Sequence, residues 1–142
     1  MFAVQFYNAD RNLILMDKKR LKLFLPQIFT DANKALATVS YIFCSDDYLL
    51  QINNEFLQHD FYTDIITFNL SDNKKEITGE IYISIDRVKD NALQLKQHYT
   101  DEIKRVIFHG ALHLCGYKDK KPNDIKTMRR AEDFYMLKYQ ET

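Results

Sequence analysis

From Asp101 to Cys115 the chain reads DEIKRVIFHGALHLC, and at about 100° per residue its apolar side chains cover nearly the whole circumference of a helix. Ile103, Val106, Ile107, Gly110 and Leu114 form one stripe, while Phe108 and Leu112 lie on the opposite side. Such a helix has to be buried, so the rest of the chain must be built around it. Patterning predicts strands over Ala3–Asn8 (AVQFYN), Val39–Cys44, Asp64–Leu70 and Glu80–Ile85, the last entered through Gly79. Helices are predicted over Lys18–Ala37, with a kink or break at Pro26, and over Asp46–Phe56 behind a cap at Ser45 or Asp46. Two more are expected over Asp86–His98 and Asn123–Tyr139. Thr100 is expected to cap the central helix, with Asp101 and Glu102 near its positive end. Strands and helices alternate first, and helices finish the chain. The expected fold is α+β: a single domain, one mixed four-stranded sheet and about five helices, with the Asp101–Cys115 helix at the centre.

Composition narrows the function classes. A chain of 142 residues, 46% of them apolar, has room for one real core and is too apolar to be disordered. Its 20 Lys and Arg balance its 20 Asp and Glu, which excludes holding nucleic acid by bulk charge and leaves open a local basic patch. No apolar run approaches the roughly 20 residues of a membrane span. The N-terminal stretch lacks a basic segment followed by an apolar one, so no signal peptide is expected. Two cysteines, Cys44 and Cys115, make no framework pattern, which fits a reducing, cytoplasmic setting.

The chemistry lies in HGALHLCGYKD, His109 to Asp119. His109 and His113 are within about 40° of one another on the central helix and can bring two imidazoles to one cation. Gly116 can take the left-handed conformation that ends a helix and lets a third ligand swing back. That third ligand is Asp119, at the offset seen in the H-E-x-x-H-x-x-G-x-x-H pattern of metzincin proteases. Three protein ligands with an open position are what a catalytic zinc requires. Gly110, however, stands where a protease carries its general base, so peptide cleavage is disfavoured and metal-assisted phosphodiester hydrolysis is preferred. A mid-helix glycine also costs about 1 kcal/mol against alanine, which implies close packing of backbone or substrate at Gly110. Cys115 points away from the histidine face and is read as a core thiol.

These residues resemble the YbeY endoribonucleases of bacteria. The family signature is H-G-x-L-H-L-x-G-Y-D-H, of which this chain keeps His109, Gly110, Leu112, His113, Leu114, Gly116 and Tyr117. NNEFLQHDFYTDIITF is similar to the family segment ending T-D-V-L-S-F, and GEIYIS to its G-D-I-x-I-S/C strand. The motifs keep the family's order and spacing from roughly Val39 to Leu137. The resemblance implies a zinc-dependent endoribonuclease that matures the 3′ end of 16S rRNA and takes part in ribosome quality control. Its partners would be ribosomal RNA, the small ribosomal subunit and assembly factors, with neither DNA nor membrane involved.

Two positions depart from the family. Its third histidine is Asp119 here, and its D-H pair reads Lys118-Asp119. A carboxylate oxygen is an acceptable zinc ligand, and two histidines with a carboxylate also suit other divalent metals. The arginine that the family places before T-D, thought to contact RNA phosphate, aligns with Leu57. Phosphate charge then needs another partner, with His59, Lys118, Lys120 and Lys121 as candidates. Thr63 and Asp64 match the family and either line an RNA groove or cap the turn before a strand. A ribosome-assembly binding protein with a structural metal and little nuclease activity is the alternative that Leu57 leaves open.

Overall fold

The computed structural model describes residues 2–142. Four strands form one sheet in the order β1-β2-β4-β3, in which β1 (Val4–Asn8), β2 (Ala35–Cys44) and β4 (Glu76–Ser84) are parallel. The edge strand β3 (Ile65–Asn69) runs antiparallel to β4, pairing Thr67 with Ile81. The helices are α1 (Lys18–Phe24), α2 (Pro26–Asp31), α3 (Asp46–Leu57), α4 (Ile85–Gln94), α5 (Tyr99–Leu114) and α6 (Pro122–Gln140).

The mixed α+β sheet and the central helix are as the sequence predicts, and α5 packs against β3, β4, α2, α4 and α6. Side-chain alternation along the strands separates two faces. Val39, Tyr41, Phe43, Ile77, Ile81 and Ile83 join Ile107, Phe108, Ala111 and Leu112 of α5 in the main core. On the other face Cys44, Leu49 and Ile66 form a smaller cluster beneath α3, with Ile52, Phe68 and Tyr82 against it. The hydroxyl of Tyr41, fully inside the protein, donates to the Ile107 carbonyl at 2.7 Å and so ties β2 to the middle of α5.

Close approach of α5 to the sheet accounts for Gly110. A Cβ there would lie 2.9 Å from Ile81 Cγ2 and 3.0 Å from Ile65 Cδ1, so it is the sheet, and not a substrate, that fills the space. Gly79 makes the reciprocal allowance on β4, where a Cβ would lie 2.8 Å from Leu114 Cδ1.

Several boundaries differ from expectation. The break expected at Pro26 is present, since Pro26 begins α2 as a new first turn, and it gives six helices among the described residues, but the second helix stops at Asp31, well short of Ala37. Asn33 then takes a left-handed φ of 58° and ends α2. Ala35 and Leu36 pair with Glu76 and Ile77, and the register shifts between Leu36 and Thr38, so β2 begins where helix was expected. Sheet pairing overrides the helical preference of alanine and leucine there. For the same reason β4 starts at Glu76, and Gly79 lies inside it rather than at its entrance. Helix α4 stops at Gln94 instead of His98, where Lys96 adopts a φ of 53°. The cap of α5 is His98 backbone, with Thr100 already inside the first turn, whereas Ser45 caps α3 by accepting from the Tyr48 amide at 3.1 Å.

Candidate metal centre

Helix α5 ends in the turn the sequence calls for. Gly116 has a φ of 104°, its amide donates to His113 O at 3.0 Å, and the Tyr117 amide donates to Leu112 O at 3.1 Å. This pair of bonds is the Schellman closure, and the tyrosine that follows it packs against the core. The chain thereby reverses and carries Asp119 back to the helix. Asp119 Oδ2 lies 3.2 Å from His109 Nε2 and 3.3 Å from His113 Nε2, and one donor atom from each of the three residues lies within 4.8 Å of the others. That group could hold a metal ion.

A carboxylate from the far end of the chain fixes one imidazole. Glu132, on α6, approaches His109 Nδ1 at 2.7 Å through Oε2 and accepts from Arg105 Nη1 at 3.0 Å through Oε1. A proton on Nδ1 donated to Glu132 leaves the Nε2 lone pair free for a metal, the arrangement found behind metal-binding histidines. Sequence reading missed Glu132, although a signal was present. It occupies the buried stripe of α6 with Met128, Tyr135 and Tyr139, a place where an apolar residue would normally stand.

The centre opens into a cleft of about 700 Å³ between α3, β3, α5 and α6. His59, Thr63, Asp64 and Lys120 line it, as do His109, His113 and Asp119. Leu57 lines it too, so α3 presents an apolar side chain at the position where a cation was sought. Lys118 is turned elsewhere: it is exposed beside a separate depression with Cys115, Tyr117 and Asp124. Lys121 is an exposed residue at the start of α6 and does not line the cleft. Glu102, Arg105 and Arg129 line the cleft and were not found by sequence. Burial pushes both the Cys44 and Cys115 thiols up to about 12, so neither offers a thiolate.

Four carboxylates, Asp64, Glu102, Asp119 and Glu132, face three permanent cations, Arg105, Lys120 and Arg129, in this cleft. Burial first, and that shortage of positive charge second, shift the titration of its groups. Burial, with Asp119 and Glu132 nearby, raises the Asp64 carboxyl, and burial with Asp64 nearby raises Glu102. Burial opposes a charge on His109, but Glu132, Asp119 and Asp64 outweigh it and raise its pKa. A divalent cation would reverse the imbalance, and the donor set suits one.

The three raised values set a sign for stability. Each contributes stability that is fully present below its unfolded pKa and is lost as pH rises through its folded pKa. The metal-free protein should therefore lose thermal stability as pH climbs out of the ordinary carboxylate range, about 4, and on past that of histidine, about 6.5. Asp31, held low by the Tyr135 hydroxyl, works in the opposite sense but at more acid pH. Metal-loaded protein should gain stability over the same interval as protons cease to compete for the ligands. Melting curves of chelated and metal-loaded protein across pH check this, and parallel profiles would refute it.

Fold and site together define a small α+β protein in which three residues that could hold a metal ion line an open cleft. The sequence matches the family described as Endoribonuclease YbeY over residues 6–140. It is 47% identical over 131 residues to Endoribonuclease YbeY of Cytophaga hutchinsonii, covering 92% of each chain. To the protein of that name from Porphyromonas gingivalis strain ATCC 33277 it is 42% identical over 142 residues, covering 100% of this chain and 93% of the relative. A solution structure of a Thermotoga maritima protein superposes with a TM-score of 0.66 at 26% identity, covering 96% of this chain and 88% of that one. The chain belongs to the endoribonuclease YbeY family, whose members are RNA-cleaving hydrolases.

Proposed function

We propose that this protein is a zinc-dependent, single-strand-specific endoribonuclease that matures the 3′ end of 16S rRNA and serves ribosome quality control in the cytoplasm. Its partners on this reading are ribosomal RNA, the small ribosomal subunit and assembly factors. The observation that carries the reading is the convergence of His109 Nε2, His113 Nε2 and Asp119 Oδ2 in an open cleft. Zinc held by these three residues would supply Lewis acidity toward a phosphoryl oxygen.

The chain's own side chains supply the rest. Glu132 keeps the His109 ring in one orientation, and Arg105, held between Glu132 and Asp133, keeps Glu132 in place. Asp64 lines the cleft within the electrostatic reach of His109 and Asp119, and its burial raises its carboxyl pKa. The aromatic pair His59 and Phe61, stacked with centroids 5.0 Å apart, offers a flat surface for a base at the cleft edge. A glycine at position 110, pressed against β4, removes the base that a metallopeptidase of this pattern would use.

Purified protein is expected to carry about one zinc per chain. It should cut a single-stranded RNA spanning the 16S 3′ region, lose that activity on chelation and recover it with added zinc. A generic peptide mixture should remain uncut. The apolar Leu57 in the cleft favours a second reading, an assembly protein with a structural metal. Retained zinc with no RNA cleavage would put that second reading first.

A further inference from the structure

We propose that Arg129, on α6, is the side chain that grips a backbone phosphate of the RNA strand in the cleft, an assignment that rests on the nuclease reading above. The cleft offers three permanent cations, and their circumstances differ. Arg105 is spent: its side chain is 15% exposed and its two arms bind Glu132 at 3.0 Å and Asp133 at 2.8 Å. Lys120 is an exposed residue of the Asp119 turn, a point charge on a flexible stem. Arg129 is half exposed at 51%, and among the described residues it makes no side-chain hydrogen bond.

Arg129 meets the cleft wall through an ion pair and not through a hydrogen bond. Its Nη1 lies 3.6 Å from Glu132 Oε1, an oxygen already taken by Arg105, while the other oxygen of Glu132 is taken by His109. Two guanidinium groups therefore share one carboxylate, and the outer one keeps its donors free. Through Glu132 it stands one carboxylate away from an imidazole of the metal centre. A planar fork with unspent donors on a rigid helix suits a phosphodiester, which presents two oxygens to it. Leu57, which also lines the cleft, offers no charge to a phosphate.

The test uses metal-loaded protein and a single-stranded 2′-O-methyl oligonucleotide that resists cleavage. Arg129→Ala should weaken binding about tenfold and reduce the slope of log affinity against log salt by about 0.7, the share of one phosphate on a single strand. Arg129→Lys should restore the salt slope and only part of the affinity, because charge returns without the fork. Arg130→Ala, an exposed arginine on the same helix that does not line the cleft, should leave both unchanged. Zinc content and melting temperature should match the wild type in every variant. If the wild type binds the strand while Arg129→Ala keeps its affinity and slope, or Arg130→Ala loses as much, the assignment falls and the nuclease reading stands. If the wild type neither binds this strand nor cleaves RNA, both fall together.

Discussion

Alanine at Asp119 or at His113 should leave the purified protein without stoichiometric zinc, whereas alanine at Glu132 should keep a zinc site weakened about 10–100-fold. The difference follows from what each residue supplies. Asp119 and His113 each contribute a donor atom, and either loss leaves two ligands for an ion that is normally held by three or more protein groups. Glu132 contributes no donor; it orients His109 through the 2.7 Å contact to Nδ1. Its removal also strips Arg105 of one of its two carboxylate partners, so the variant should be less stable even without metal. Elemental analysis of the four proteins, followed by competition with a chelator of known affinity, gives the ranking. RNA cleavage should fall to the chelated baseline in the two ligand variants. Full zinc retained by Asp119→Ala would place the third ligand elsewhere, with Asp64 the next carboxylate to replace.

Gly110→Val should destabilise the protein by about 3 kcal/mol or more, read as a drop in melting temperature of about 10 °C. A helix normally gains about 1 kcal/mol when glycine is replaced by alanine, so propensity alone argues the other way. Geometry decides. The first added carbon would already lie 2.9 Å from Ile81 Cγ2 on the fully buried floor of the sheet, and Ile81 is branched at that point and cannot turn aside. Valine adds two further carbons, and α5 must lift off β4. Because His109 adjoins Gly110 and His113 lies one turn on, the lift should also lower zinc affinity, which alanine at the exposed Arg130 would not do. A valine variant as stable as the wild type would mean that α5 and β4 are free to separate.

The parts of the site that sequence reading captured are those close together in the chain. His109, His113, Gly116 and Asp119 fall within one helix end and its turn, where spacing alone dictates what can meet. The sheet was legible through its β-branched and aromatic runs, and α5 through being apolar all round. Glu132, Arg105 and Arg129 were not legible as a group, because their meeting depends on how α6 crosses α5, which no local pattern encodes. Glu102 was read as a favourable charge at a helix start, yet its side chain is buried in the cleft wall. Lys118 failed in the opposite way: it adjoins Asp119 in sequence, but the reversal after Gly116 turns it toward another depression. At Ala35 and Leu36 helical preference lost to the pairing partners waiting on β4.

The position of α6 has a consequence for synthesis. The two histidines and Asp119 precede it in the chain, but the carboxylate behind His109 and the unspent arginine both arrive with it. A nascent chain that has emerged only through Asp119 carries the three candidate donor residues but not the carboxylate that contacts the His109 ring. Translation therefore delivers the His109–Asp119 turn first, and Glu132 and Arg129 join it only with α6.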